Sequence, residues 1–221
     1  MKRRTLLATG GAAILTVGAG MGLMPRNQQT GLLPGAANAQ EATGELPEVM
    51  EMVLGNPMAN VEVIEYASYT CGHCANFNAN QHKLLKANYI DTNKIRFVYR
   101  EVYFDRPGLW ASMIARCTDN PDFFFAFSDV IYEQQSTWLA SGDPTIIIEE
   151  LRRLGKTAGL DDAALDACLS DAAKAEALYT WYQENADRDN ISSTPSFLID
   201  GENYSNMSYD DFAEVLDEKL G

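Results

Sequence analysis

Val61-Glu62-Val63-Ile64-Glu65-Tyr66-Ala67-Ser68-Tyr69-Thr70-Cys71-Gly72-His73-Cys74 is the stretch on which the reading of this chain turns. Its first half is apolar and β-branched, the composition of a strand. Downstream, Ala75 to about Tyr89 carries helical spacing. The two cysteines therefore stand where a strand hands over to a helix. At such a point unpaired backbone N–H groups and the helix dipole favour negative charge. A thiolate at Cys71 gains from that, and from a protonated His73 beside it. A lowered pKa makes the thiolate, which is the nucleophile, available near neutral pH. Cys71 and Cys74 are expected to be a redox pair that closes and reopens a small disulfide. Half of a zinc site is the competing reading. Zinc normally takes four ligands, and only Cys117, Cys168 and His82 remain, far from one another in sequence. No metal is expected.

Side chains alternate along a strand, so Val61, Val63 and Glu65 share one face. An edge strand could carry such a glutamate without consequence. A carboxyl on an apolar face, six residues before a reactive cysteine, is the better candidate for a proton relay. In the helix that follows, the periodicity turns Phe77, Leu84 and Leu85 inward, with Asn78, Lys83 and Lys86 outward. His82 is expected on the surface.

Before this stretch, Met1-Lys2-Arg3-Arg4-Thr5-Leu6-Leu7 leads into an apolar, Gly-rich run, and Ala37-Asn38-Ala39 supplies a small-residue cleavage pattern. This is the pattern of a secretory signal over residues 1–39, and Arg3-Arg4 resembles a twin-arginine signal. A permanent anchor is the alternative, but glycines interrupt the run and a span needs roughly 20 mainly apolar residues. Export to a periplasm would place the cysteines where disulfides persist. The leader holds Lys2, Arg3, Arg4 and Arg26 and no acid, leaving 13 basic against 31 acidic side chains in residues 40–221, a net charge of −18. Nucleic acid is an unfavourable partner for such a surface. Runs such as Asp161-Asp162 and Asp187-Arg188-Asp189 read as exposed faces and caps.

Val53-Leu54 suggests a short edge strand, followed by turn chemistry at Gly55-Asn56-Pro57. Ile95 to Arg100 is a second strand. From Pro107 to about Asn190 the pattern is helical. Asp143-Pro144 reads as an N-cap with proline in the first turn, Gly155 as that helix's stop, and Asp161 and Asp171 as further caps. Phe123, Phe124, Phe125, Phe127, Trp138, Tyr179 and Trp181 are expected in the core of this helical block. Strand signals return at Ser196-Phe197-Leu198-Ile199, followed by an Asp200-Gly201 hairpin turn. Ser208 and Asp211 form a capping pattern opening a last helix. Ser193-Thr194-Pro195 precedes the third strand. A proline entering a strand removes a ladder hydrogen bond. It signals either a cis bond in a tight turn or a trans proline ending the helix before it.

With these residues assembled, the chain resembles a DsbA-type thiol:disulfide oxidoreductase of the thioredoxin superfamily, over essentially all of residues 50–220. The resemblance is carried by Glu65, Cys71-Gly72-His73-Cys74, the helical insertion and Thr194-Pro195 before Ser196-Phe197-Leu198-Ile199. It implies an α/β, thioredoxin-like fold with a helical insertion: thioredoxin-like parts at 40–106 and 191–221, the insertion at 107–190. It implies a catalytic Cys71–Cys74 disulfide, a cis Pro195 against it, Thr194 pairing with substrate backbone, and Glu65 assisting proton transfer. Similar pairs in some relatives make Cys117–Cys168 a second, structural disulfide, two free thiols being the alternative. Gly72-His73 and Thr194 depart from the best-known member, which has Pro-His and Val; both differences bear on oxidising strength.

The expected function is periplasmic introduction of disulfides into reduced, unfolded exported polypeptides. The resemblance implies reoxidation by a quinone-linked membrane thiol oxidase. No cofactor is expected. A reductase or isomerase could use the same site. Isomerases of this fold often dimerise through an extra N-terminal domain, and residues 40–60 are too few for one, which favours a monomeric oxidase. A metal chaperone using Cys71, His73 and Cys74 is the reading from another class.

Overall fold

The computed structural model describes residues 45–221. The expected signal segment, with its arginine pair and cleavage pattern, lies outside them. Five strands form one sheet in the order β1-β3-β2-β4-β5. They are β1 (Met52–Gly55), β2 (Val61–Ala67), β3 (Ile95–Glu101), β4 (Ser196–Ile199) and β5 (Glu202–Ser205). Central β2 runs parallel to β3 and antiparallel to β4, and β1 and β5 complete the edges as antiparallel partners. Gly55 is required where β1 turns: its φ is +79°, and a Cβ there would lie 2.4 Å from the Ile95 carbonyl oxygen. Asp200 and Gly201, with φ of 48° and 81°, make the β4–β5 hairpin turn. Positive φ at both central residues matches the twist of the flanking strands.

Alternation along β2 sends Val61, Val63, Glu65 and Ala67 to one face and Ile64 and Tyr66 to the other. The first face carries the main core, which takes in residues of the CxxC helix, the helical block and the C-terminal helix. On the second face Ile64, Tyr66, Val98 and Val102 pack with Tyr182 and Ile191.

The helix after the cysteines is not regular. It begins as α1 (Gly72–Phe77), widens to a π turn over Asn78–His82, tightens as α2 (Lys83–Leu85) and widens again over Lys86–Ile90. A π turn spaces its hydrogen bonds by five residues, so each one advances the buried stripe. The buried residues are accordingly Cys74, Phe77, His82, Leu85, Tyr89 and Ile90. This corrects two expectations. Leu84 is exposed, and His82 is buried between Phe77 and Phe97, with ring centroids at 6.4 and 5.2 Å.

Between β3 and β4 lie α3 (Arg106–Ala115), α4 (Pro121–Glu133), α5 (Gln135–Trp138), α6 (Pro144–Thr157), α7 (Asp162–Ser170) and α8 (Ala172–Arg188). Their starts are written in short polar residues: Asp105, Asn120, Asp143, Asp161 and Asp171 each accept a first-turn N–H, which satisfies an otherwise orphaned donor. Helix α9 (Tyr209–Leu220) starts the same way at Ser208. Gly155 is no stop, because α6 runs through it to Thr157. It is buried where a Cβ would come within 2.8 Å of Leu165, so glycine there serves close packing of α6 on α7. Of the expected core aromatics, Phe124, Phe127 and Trp138 are fully enclosed, Phe123, Phe125 and Trp181 are half-buried, and Tyr179 is exposed, because its neighbour Leu178 takes the inward position.

Two ion-pair groups tie the block to the sheet. Arg116 of the segment after α3 donates to Glu101 of β3 (Nη2 to Oε2, 2.7 Å), both fully buried. Arg100 of β3 pairs with Asp189 at 3.0 Å and with Glu51. Asp189 is therefore a partly buried ion-pair partner, not the solvated residue its acidic surroundings suggest. Cys117 and Cys168, 51 residues apart, are joined in a disulfide linking the end of α3 to α7.

Candidate redox site

The site forms where β2 ends. Cys71 is the N-cap of α1, with extended backbone (φ −85°, ψ 119°), and its N–H donates to the Ser68 carbonyl at 3.1 Å. Its side chain is half-buried, while Cys74, one turn into the helix, is fully buried. Helical geometry dictates this difference: the first residue of the turn overhangs the end, and the fourth points back under it.

Both are free thiols, and their environments drive them apart. The Cys71 thiol is pulled down to about 5, chiefly by a hydrogen bond from the Cys74 thiol, with further donation from the Thr194 side chain and the backbone N–H groups of Cys74 and His73. Partial burial opposes this and loses. Burial pushes the Cys74 thiol far up, and the hydrogen bond to Cys71 adds to that. His73 itself is exposed, and its main-chain N–H is the part that serves the sulfur.

Thr194 and Pro195 lie against the cysteines from the start of β4. Their peptide bond is cis. Cys71 Sγ donates to the Thr194 carbonyl at 3.4 Å. A carbonyl only accepts, so that contact serves the neutral thiol. The Thr194 hydroxyl, buried and without another partner among the described residues, is the group that can turn to the thiolate.

Glu65 sits on β2 beneath the pair, opposite Phe197 of β4 and Tyr99 of β3. It is 3% exposed, and desolvation alone lifts its carboxyl to about 8. It is near enough to Cys74 for its charge to raise that thiol further. The structure thus brings Glu65, Cys71, Cys74, Thr194 and Pro195 together. Cys117 and Cys168 stand apart, in the helical block.

One site residue has no sequence signature. Gln135, the first residue of α5, donates Nε2 to the carbonyls of Tyr69 and Cys71, both at 2.9 Å. It holds the loop that presents Cys71. Only three-dimensional proximity marks it, since one of two adjacent glutamines in a helical segment looks like any surface polar residue. Among the described residues no three of His, Cys, Asp or Glu are grouped as a metal site would require.

The thioredoxin family's model matches residues 48–218. A curated Rickettsia typhi protein described as "Putative protein-disulfide oxidoreductase" is 34% identical over 170 residues, covering 77% of this chain and 62% of that relative. The crystal structure of Wolbachia pipientis alpha-DsbA1 superposes with a TM-score of 0.69 at 26% identity, covering 79% of this chain and 93% of that one. That of a protein-disulfide isomerase from Novosphingobium aromaticivorans does so at 0.67 and 25%, covering 77% and 97%. The chain belongs to the thioredoxin superfamily, as a DsbA-type member with the thioredoxin fold and its helical insertion. Its matched stretch spans somewhat under two thirds of the length of the Rickettsia relative.

Proposed function

We propose that this protein is an exported thiol:disulfide oxidoreductase that works through Cys71-Gly72-His73-Cys74 as an oxidase. The observation that carries the reading is the opposite displacement of the two thiols at one helix start. An accessible cysteine that is a thiolate at neutral pH is a good leaving group, and its stabilisation favours the reduced enzyme, which makes the disulfide oxidising.

The chemistry balances as follows. A substrate thiolate attacks Cys71 Sγ of the Cys71–Cys74 disulfide. The S–S bond breaks, a mixed disulfide forms, and Cys74 Sγ leaves with the electron pair. Cys74 holds its proton tightly, so this leaving thiolate takes one from Glu65, which is largely protonated at neutral pH. A second substrate thiolate then attacks the substrate sulfur of the mixed disulfide. Cys71 leaves as its stabilised thiolate, the substrate is oxidised to a disulfide and the enzyme is reduced. Thr194 and Pro195 flank Cys71 and are assigned to binding extended substrate backbone.

Support for export comes from the leader pattern of residues 1–39. On this reading the reaction takes place in a periplasm, on reduced exported polypeptides, and the family resemblance supports reoxidation of a monomeric enzyme by a quinone-linked membrane oxidase. The likeness to a protein-disulfide isomerase structure favours isomerisation as the second reading. The reduction potential measured against glutathione tests the oxidase reading: a value well above that of thioredoxin is expected, and one close to it removes the assignment. Rescue of a substrate protein with scrambled disulfides tests isomerisation, and efficient rescue would favour the second reading. Cys74→Ser should accumulate mixed disulfides with extract proteins on a non-reducing gel, and Cys71→Ser should not; equal ladders would overturn the division of roles.

A further inference from the structure

Two groups meet Cys71. Its sulfur faces Thr194, just before β4, and its carbonyl faces Gln135 of α5. The Gln135 amide can sit only one way round. Its nitrogen meets the carbonyls of Tyr69 and Cys71, both at 2.9 Å. Carbonyls only accept, so both N–H groups are engaged there. Oε1 is thereby turned away from those carbonyls. It is not buried, and no donor among the described residues meets it.

Gly72 is what leaves Oε1 uncovered. A Cβ on that residue would stand 4.0 Å from Oε1, and apart from its own stretch of chain no other described atom comes as near. Gly72 is exposed, and its φ is not in the left-handed region. Neither backbone conformation nor packing therefore demands glycine at this place. A longer side chain would lie across the amide. The result is a fixed, open acceptor beside the accessible cysteine. An extended polypeptide offers an N–H at every residue except proline, and an N–H that loses water without finding an acceptor is costly.

We infer that Gln135 binds substrate: its Oε1, left open by Gly72, accepts a main-chain N–H of the polypeptide that reacts at Cys71. Thr194 then lines the bound chain at the sulfur of Cys71, and Gln135 lines it at the carbonyl. The substrate class so selected is a reduced chain with a free amide N–H near its reactive cysteine. Proline at that place has no N–H and is disfavoured. The inference rests on the reading of Cys71 as the sulfur that substrates attack.

The experiment follows reduction of the oxidised full protein by a short peptide dithiol, with dithiothreitol as a reductant that has no amide. Peptides N-methylated at one amide near the attacking cysteine are compared with the parent peptide, in wild type, Gln135→Met and Gly72→Val. Gln135→Met removes the acceptor at nearly the same side-chain length. Gly72→Val leaves both Nε2 bonds in place and covers Oε1. At one position, methylation is expected to slow the second-order rate of wild type roughly three- to tenfold more than that of either variant, the size of one neutral hydrogen bond. A loosened loop would slow every peptide and dithiothreitol alike, and so cancels in this comparison. Equal methylation penalties in all three proteins at every position would overturn the inference and leave Gln135 to its loop. So would a penalty lost in Gly72→Val but kept in Gln135→Met, because the acceptor would then be another group. If dithiothreitol fails to reduce wild type through Cys71, the redox reading falls and this inference with it.

Discussion

Removing the Cys74 thiol while keeping Cys71 tests the largest cause of the low Cys71 pKa. Cys71 is held at about 5 against an ordinary 9.0, and the neighbouring thiol is the foremost donor. Hydrogen bonds to charged groups contribute roughly 1.5–3 kcal/mol, and one pKa unit corresponds to about 1.4 kcal/mol. Cys71 is half-buried, so solvent screens the interaction and the lower part of that range applies. Cys74→Ala should therefore raise the Cys71 pKa by roughly one unit. Cys74→Ser, whose hydroxyl can donate in place of the thiol, should keep most of the depression. Thiolate ultraviolet absorbance against pH reads both values, and the pH dependence of alkylation checks them. If Cys74→Ala titrates with Cys74→Ser, the backbone N–H groups and Thr194 hold the thiolate, and the reasoning from the neighbouring thiol is wrong.

Glu65 gives a pH-dependent stability of definite sign. Its folded-state pKa is raised, so between about 4.5 and about 8 the native protein keeps a proton that the unfolded chain has released; stability is full below that window and declines as pH rises through it. In the oxidised protein, where neither site cysteine titrates, urea unfolding should show a decline on the order of a few kcal/mol, and Glu65→Gln should flatten it; parallel profiles would contradict the burial argument. Gln135→Ala removes two hydrogen bonds to the catalytic loop and should cost about 1–3 kcal/mol, seen as a lower melting temperature together with slower exchange at Cys71; loss of neither would make the contact incidental. Gly155→Ala should destabilise by roughly 1–3 kcal/mol through overpacking against Leu165, and an unchanged midpoint in urea would show that α7 gives way freely.

How far the sequence could be read depended on how local the chemistry was. The caps at Asp143, Asp161, Asp171 and Ser208, the Asp200-Gly201 turn and the alternation in β2 are each decided within four or five residues, and each is where its local chemistry places it. The cysteine pair was legible for the same reason. Gly155 was misread because glycine marks both a helix end and a close helix contact, and only the position of Leu165 tells them apart. His82 and Leu84 were misplaced because a regular helical period was assumed through two π turns. Gln135 and Asp189 lie far in sequence from the residues they hold, and no periodicity connects them.

The shared ownership of the site bears on attempts to shrink the protein. A designer removing α3 through α8 would keep the sheet, both site cysteines and Thr194-Pro195, and would hold what looks like a minimal thioredoxin. That cut discards the glutamine that fastens the Cys71 loop. It also strands Glu101 in the interior with Arg116 gone; breaking a buried pair in this way costs about 3–5 kcal/mol, a large share of the roughly 5–15 kcal/mol that holds a whole protein folded. The segment between β3 and β4 is thus not a detachable module, and a miniaturised version would need a new cover for β3 before its chemistry could be judged.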